Sequence, residues 1–335
     1  MWELVNRTRF AAERCFARDA RGAEVWLVAV RGTFRIAGDG STEPAEVQEP
    51  VAVAPSYLGE PGRSSLRCDT DLVLSKPGTD VLVVGHAHAP KGKPAARVEI
   101  GLRAGPIAKM LVVVGPRHYR RGVIDVTISD PEPFVRMPVT YERAFGGVDP
   151  EAGPRACDPR NPVGVGFAER PERLAGRPAP NVEAYGRPLT SARDRAAPAG
   201  FGPIARHWEP RVRLAGTFDA AWEEHRMPLL PDDFDERFHF AAPEDQQVPG
   251  YLREGSAVEI LNMTPDGLLR FHLPRTRPVF RTFFGRDTVE HRARLHTVLV
   301  EPDERLVELV WHTALPCHGK EHRLDRTLLW EKAYV

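Results

Sequence analysis

The sequence predicts an all-β protein: one or two antiparallel β-sandwiches, with a long proline-rich irregular middle region carrying short helices. Three observations carry this. Short runs rich in Val, Ile, Phe and Trp recur through the first 145 and the last 85 residues, and no long amphipathic helix interrupts them. Residues with strong turn chemistry separate the runs. Between the two strand-rich stretches, residues 146–250 hold 15 of the 32 prolines, and proline removes a backbone donor and fixes φ, so neither helix nor central strand can run far there. The chain therefore divides into an N-terminal β region (1–145), an irregular proline- and aromatic-rich layer packed on the sheets (146–250) and a C-terminal β region (251–335).

Element by element, "GAEVWLVAVRGTFRI" (22–36) reads as a strand bounded by Gly22 and Gly38. "DLVLSKPGTDVLVVGHAHAP" predicts two strands joined by a type II turn at Lys76-Pro77-Gly78-Thr79. "ARVEIGL", "KMLVVVG", "GVIDVTI" and "MPVTYERAF" continue the series. After residue 250, "SAVEILNM" and "LLRFHLP" flank Thr264-Pro265-Asp266-Gly267, a hairpin signal with Asp-Gly at its tip. "PVFRTFFG", "HTVLVEP" and "RLVELVWHT" follow; the tail "DRTLLWEKAYV" suits a further strand or one helical turn. In the middle region Asp219 is placed to cap "AAWEEHRM" and Asp232 to cap "DFDERFHF". Its rings, among them Phe167, Phe201, Trp208, Phe218, Trp222, Phe234, Phe238 and Phe240, are too many for a linker, so the layer is expected to be ordered.

Composition demotes several classes. Hydrophobic residues at 42% provide for a substantial core, and Lys+Arg and Asp+Glu both total 46, without the basic excess of a generic nucleic-acid binder. Cys15, Cys68, Cys157 and Cys317 are scattered and form no CxxC pair or disulfide framework. "MWELVNRTRF" lacks the apolar core of a secretory signal, and no run approaches the ~20 apolar residues that span a bilayer. The expectation is a soluble, reduced, cytoplasmic protein with no membrane or nucleic-acid partner.

Few residues suggest chemistry. His86-Ala87-His88 places two imidazoles on one face of a strand; zinc would need a third ligand, for which His118, His296 and His312 are candidates if the fold brings them near. Cys317-His318 with His322 lacks a second ligand pair, and loop histidines are the expected reading. The carboxylates Asp232, Asp233, Asp235, Glu236, Glu244 and Asp245 would serve a hydrolase only if two faced each other across a cleft. No Gly-x-Ser-x-Gly elbow, HExxH or Walker loop occurs. "APEDQQ" (242–247) combines acids and amides, which can lock irregular backbone by donating and accepting at once. Trp208 and Trp222 could stack on sugars in a carbohydrate-binding module, although core Trp is commoner.

The ordered set "KPGTDVLVVGHAHAP", "TYERAFGG", "NPVGVGF", "PNVE", "GFGPI", "AGTFDAAW", "LPDDFDERF" and "APEDQQ" resembles the bacterial domain-of-unknown-function family 2169, found beside type VI secretion genes. The resemblance runs over nearly the whole chain, and no motif in it is specific to a reaction. It implies a non-enzymatic cytoplasmic adaptor or chaperone that binds an effector, or a spike-tip domain, and helps load it on the spike, with no cofactor. The competing expectations are a metal- or carboxylate-dependent hydrolase built on His86, His88 and the acids of 232–245, and a carbohydrate-binding β module. Tyr141, Arg143 and Phe145 are expected to end the last strand of the first set, Gly146-Gly147 to turn the chain into the layer, and Arg143 to reach a carboxylate there. With Asn161, Phe201, Trp208, Trp222, Asp245, Gln246 and Gln247 they are the candidates for junction or partner contact.

Overall fold

The computed structural model describes residues 2–153 and 155–333. Among them strands account for 42% and helices for 9%, and no sheet closes into a barrel, so the all-β expectation holds. The largest sheet has seven strands. Its order is Gln247–Pro249, Gly78–Val83, Arg294–Glu301, Leu306–Pro316, Glu24–Ile36 and Ala11–Arg18, with Thr42–Pro44 pairing on Glu24–Ile36. A five-stranded sheet runs Val182–Ala184, Ile107–Val114, Arg97–Ala104, Ala257–Leu261, Leu268–His272. A four-stranded sheet runs Glu3–Asn6, Leu324–Ala333, Thr276–Phe284, Asp287–Arg292. Residues from both ends of the chain thus share sheets. Pairing is mostly antiparallel, but Gly78–Val83 lies parallel to Arg294–Glu301, and Glu3–Asn6 parallel to Leu324–Ala333.

One core joins the sheets. Val28, Val30, Phe34, Val81, Val83, Val298, Val300, Leu309 and Trp311 of the large sheet share a buried cluster with Ile100, Leu102, Leu111, Val113, Val258 and Ile260 of the five-stranded one. Period-2 alternation puts the apolar residues of each strand on that inner face. The opposite face of the large sheet is also buried, yet polar. Arg31, at 2% exposure, lies 2.9 Å from Asp71 and also pairs with Glu308, which is fully buried. Arg67 bridges Glu301 and Glu308, at 2.9 and 2.8 Å. Lys76 Nζ donates to Asp80 Oδ2 at 2.8 Å and to Thr297 Oγ1 at 3.1 Å. Asp69 accepts from Arg211 at 2.7 Å and from Arg206 at 3.1 Å. Arg211 and Arg206 belong to the middle region, and the Ala241 amide donates to Asp80 Oδ2 at 2.7 Å, so these charges clamp that region onto the sheet.

Several local expectations are corrected. "DLVLSK" forms no strand; residues 71–77 are irregular, with Asp71 bound to Arg31 of the strand Glu24–Ile36 and Lys76 folded back onto Asp80 four residues on. Gly78 opens a strand instead of closing a type II turn: a Cβ there would stand 2.0 Å from the Val248 carbonyl oxygen, so glycine serves close backbone approach. "MPVTYERAF" is broken up: the strand Arg136–Pro138 ends before a 3-10 turn at Tyr141–Arg143, and Phe145–Gly146 is a separate two-residue strand parallel to Val165–Gly166. Asp219 caps the helix Ala220–His225 by accepting from the Trp222 amide at 2.9 Å, as expected. Asp232 caps nothing; Asp235 caps the 3-10 turn Glu236–His239, accepting from the Arg237 amide at 2.9 Å. The 264–267 hairpin forms, joining Ala257–Leu261 to Leu268–His272. Asp287–Arg292, not foreseen, is an exposed edge strand. The tail is a strand as far as Ala333; Tyr334 and Val335 lie outside the described residues.

Candidate functional site

Tyr141, Phe145, Asn161 and Trp208 meet where the first strand set passes into the middle layer, whereas Trp222 lies apart, on the helix Ala220–His225. The turn Tyr141–Arg143 leads into Gly146 (φ 146°) and Gly147 (φ 98°), and a Cβ on Gly147 would sit 2.3 Å from the Gly164 carbonyl oxygen. Only glycine accepts both that backbone and that approach. Asn161, fully buried, donates from Nδ2 to the Tyr141 carbonyl at 2.8 Å and the Phe145 carbonyl at 3.0 Å. It therefore closes the loop that "TYERAFGG…NPVG" makes. Tyr141 is buried, packs edge-on against Trp208 at 5.6 Å, and donates its hydroxyl to the Gly202 carbonyl at 3.2 Å. Burial pushes its pKa far above the ordinary phenol value.

Arg143 reaches no carboxylate. Its Nη1 donates to Asn181 Oδ1 at 3.2 Å, and its carbonyl accepts from the Asn181 amide at 2.7 Å. An amide suffices because Asn181 can also donate onward, to the Val114 and Gly115 carbonyls at 3.1 Å each, at the end of the five-stranded sheet.

The "APEDQQ" segment is a second staple. Gln246, fully buried, donates from Nε2 to the Val81 carbonyl at 2.7 Å and to the Phe201 carbonyl at 2.9 Å. Its Oε1 accepts from Lys109 Nζ at 2.8 Å, and the same ammonium donates to Asp245 and to the Gly200 carbonyl, each at 2.8 Å. Lys109 lies 5.7 Å over the Phe201 ring. Burial lowers its pKa, and the Asp245 charge opposes that shift. Gln247 donates to the Ala242 carbonyl at 2.9 Å. Tyr141, Phe145, Asn161, Phe201, Trp208 and Gln246 are thus buried and face the body of the protein. Trp208, at 1% exposure, is closed to a sugar ring.

His86 and His88 do share a face, and what they share is Asp303. His86 Nδ1 and His88 Nε2 each lie 2.8 Å from one of its carboxylate oxygens, and Arg136 lies 3.2 Å from it. Although burial opposes ionisation, hydrogen bonds from His88 and His86 hold the Asp303 pKa below its ordinary value. Among the described residues no three or more His, Cys, Asp or Glu side chains converge in a metal-holding arrangement. Cys317 is buried while His318 and His322 are exposed, so that trio does not converge. The acids of 232–245 are used locally: Asp233 accepts from the Thr217 amide and hydroxyl at 2.9 and 2.8 Å, and Asp235 pairs with Arg237 at 2.6 Å.

Some large apolar side chains remain exposed on the surface. Phe218 and Met227 are 57% and 61% exposed, and Phe218 meets the half-buried Trp222 edge-on at 4.8 Å. The helix Ala220–His225 buries none of its residues. The protrusion is nonetheless fixed, since Trp222 Nε1 donates to the Leu229 carbonyl at 2.8 Å and Arg226 to the Ala20 carbonyl at 2.6 Å. At the hairpin between Tyr119–Arg121 and Val126–Ile128, Val123 and Ile124 are fully exposed, a feature the sequence reading missed because "GVIDVTI" scans as one strand.

The fold and these staples define a β-rich protein whose buried polar residues hold an irregular layer in place. The chain belongs to the family described as uncharacterized protein conserved in bacteria (DUF2169), which matches residues 21–312. Neither a curated protein nor a solved structure matches it. No helix among the described residues is long and apolar enough to cross a membrane.

Proposed function

We propose that the protein is a non-enzymatic cytoplasmic adaptor or chaperone of type VI secretion that binds an effector, or a spike-tip domain, and helps load it on the spike. The observation that carries this reading is the fixed aromatic–methionine knuckle of Phe218, Trp222 and Met227. The exposed apolar side chains of Phe218 and Met227, on a segment that Trp222 braces, cost solvation, whereas aromatic and Met side chains are the enriched anchors of protein interfaces. The resemblance in motif order to proteins encoded beside type VI secretion genes supplies the partner class. The test is capture from native cells with wild-type bait and with Phe218→Ser/Met227→Ser. Recovery of an effector or spike component by the wild type, and its loss with the double variant at unchanged circular dichroism, is expected. Recovery of neither class of partner by the wild type overturns the reading.

A further inference from the structure

A cavity of about 220 Å³ opens at the polar face of the seven-stranded sheet, away from the knuckle residues. It is lined by Ser75, Lys76, Tyr251, Arg292, Arg294, His296 and His312, with no carboxylate in its wall. His296 and His312, at 4% and 2% exposure, stack with centroids 4.8 Å apart, and Tyr251 stacks on His296 at 6.0 Å. His296 Nδ1 and His312 Nε2 are buried without a hydrogen-bond partner. Buried polar nitrogens left unpaired are costly and call for an explanation.

The charges around the cavity are unbalanced. Most arginines on this molecule face an acid, and Lys76 has Asp80. Arg294 instead donates to the Tyr251 hydroxyl at 3.2 Å and lies over that ring at 5.3 Å. Neither Arg292 nor Arg294 has an ion-pair partner among the described residues. A wall of two unneutralised guanidiniums, a phenol and two unsatisfied imidazoles, without a carboxylate, is complementary to an anion with several acceptor oxygens.

We propose that this cavity binds an oxyanion, a carboxylate or phosphate group, gripped by Arg292 and Arg294 at the mouth and facing the His296–His312 stack within. The electrostatics support the assignment. Burial holds His296 well below the usual imidazole range, and the charges of His312, Lys76, Arg294 and His239 add to this. Burial, with Lys76 and His239 adding to it, holds His312 at about 3. The groups facing the stack are thus Lys76, Arg292, Arg294, His239, His291 and Tyr251, with Asp80 reached only through Lys76. A bound anion offsets the excess positive charge, so it raises the affinity of the imidazoles for protons, and by reciprocity lower pH strengthens its binding.

The test is histidine-ring NMR of the full chain during titration with inorganic phosphate, with succinate, and with a short peptide rich in glutamate. Saturable shifts of the His296 and His312 signals are expected, with binding weakened at least ~10-fold in Arg292→Gln/Arg294→Gln. Both arginines are exposed, so that variant should fold as the wild type does. Phosphate alone acting identifies a phosphate ligand, succinate a small carboxylate, and the peptide alone an acidic segment of a protein. No shift with any of the three at ~50 mM, or shifts unchanged in the double variant, overturns the site.

Discussion

Acid should destabilise this fold well above the range where its carboxylates protonate, and the His296–His312 stack sets the size of the effect. Both imidazoles are neutral in the native protein: His312 titrates at about 3, and His296 well below its ordinary value. In the unfolded chain each recovers an ordinary value of about 6.5. The folded values are depressed, so between about pH 6.5 and 3 the unfolded state binds more protons than the native one, and stability falls as pH falls through that window. Above about pH 6.5 both states are neutral and the term vanishes. For a group that does not protonate in the fold over this range, as His312 does not, lowering the pH from about 7.5 to about 5 costs about 2 kcal/mol, and His296 adds in the same direction. His239 and His291, both lowered to about 4 chiefly by burial, act in the same direction. The assay is urea unfolding, followed by tryptophan fluorescence, at a series of pH values from about 7.5 to about 5, where ordinary carboxylates contribute little. In His312→Gln the pH slope should shrink by about 1.4 kcal/mol per pH unit at the acid end, and His296→Gln should reduce it as well. A wild-type stability independent of pH over this range, or slopes unchanged in both variants, would refute the reasoning.

Three further outcomes follow from the junction. Asn161→Ala leaves the buried Tyr141 and Phe145 carbonyls without their donor and should cost about 2–4 kcal/mol by urea unfolding, whereas a loss under about 0.5 kcal/mol would mean that water replaces the amide. Gly147→Ala forces a side chain onto φ 98° and against the Gly164 carbonyl; it should lower soluble yield and cost at least about 3 kcal/mol, and a wild-type midpoint would show that the turn can relax. Arg143→Ala removes one side-chain hydrogen bond to Asn181 while the backbone bond remains, so about 1 kcal/mol and unchanged partner capture are expected; lost capture at wild-type stability would make Arg143 a contact residue.

The legible part of the fold was the part governed by alternation and local turn chemistry. "GAEVWLVAVRGTFRI" and "RLVELVWHT" announced themselves as short apolar runs rich in Val, Leu, Trp and Phe, and Asp266-Gly267 named its own hairpin. The same rules misled where a tertiary bond outweighed them. "DLVLSK" has strand composition, but Asp71 is held by Arg31, forty residues away in sequence and outside any local window, and Lys76 folds back onto Asp80 four residues on. Asp287–Arg292 is polar all along, so it forms a strand only because Thr276–Phe284 offers it an edge. At the candidate site, Gln246 was found because an amide in a proline-bounded loop is conspicuous. Lys109 was missed because it reads as an ordinary strand lysine until Asp245, Gln246 and the Gly200 carbonyl surround it. A signal did exist for the polar layer: Arg31 and Glu308 are single charges inside otherwise apolar runs, a pattern that implies a buried partner.

That polar layer explains how a segment with so many prolines can be ordered without ladders of its own. A buried ion pair adds little net stability, because desolvating both charges offsets their attraction. Its value is discrimination. Glu24–Ile36 pairs with Leu306–Pro316 so that Arg31 stands opposite Val310 and reaches Glu308 diagonally. Slipping either strand by one residue would turn a charge into the apolar cluster of Val28, Val30 and Leu309, which no partner there could neutralise. The same logic docks the middle region, since Asp69 accepts Arg206 and Arg211, and Asp80 accepts the Ala241 amide, in one arrangement. Register and docking are therefore fixed by charges that would be ruinous anywhere else, and stability comes from the apolar face behind them. With the layer held this way, the exposed side chains of Phe218 and Met227 add little to the core, and Arg292 and Arg294 neutralise no acid among the described residues. Those are the side chains the molecule can commit to something other than itself.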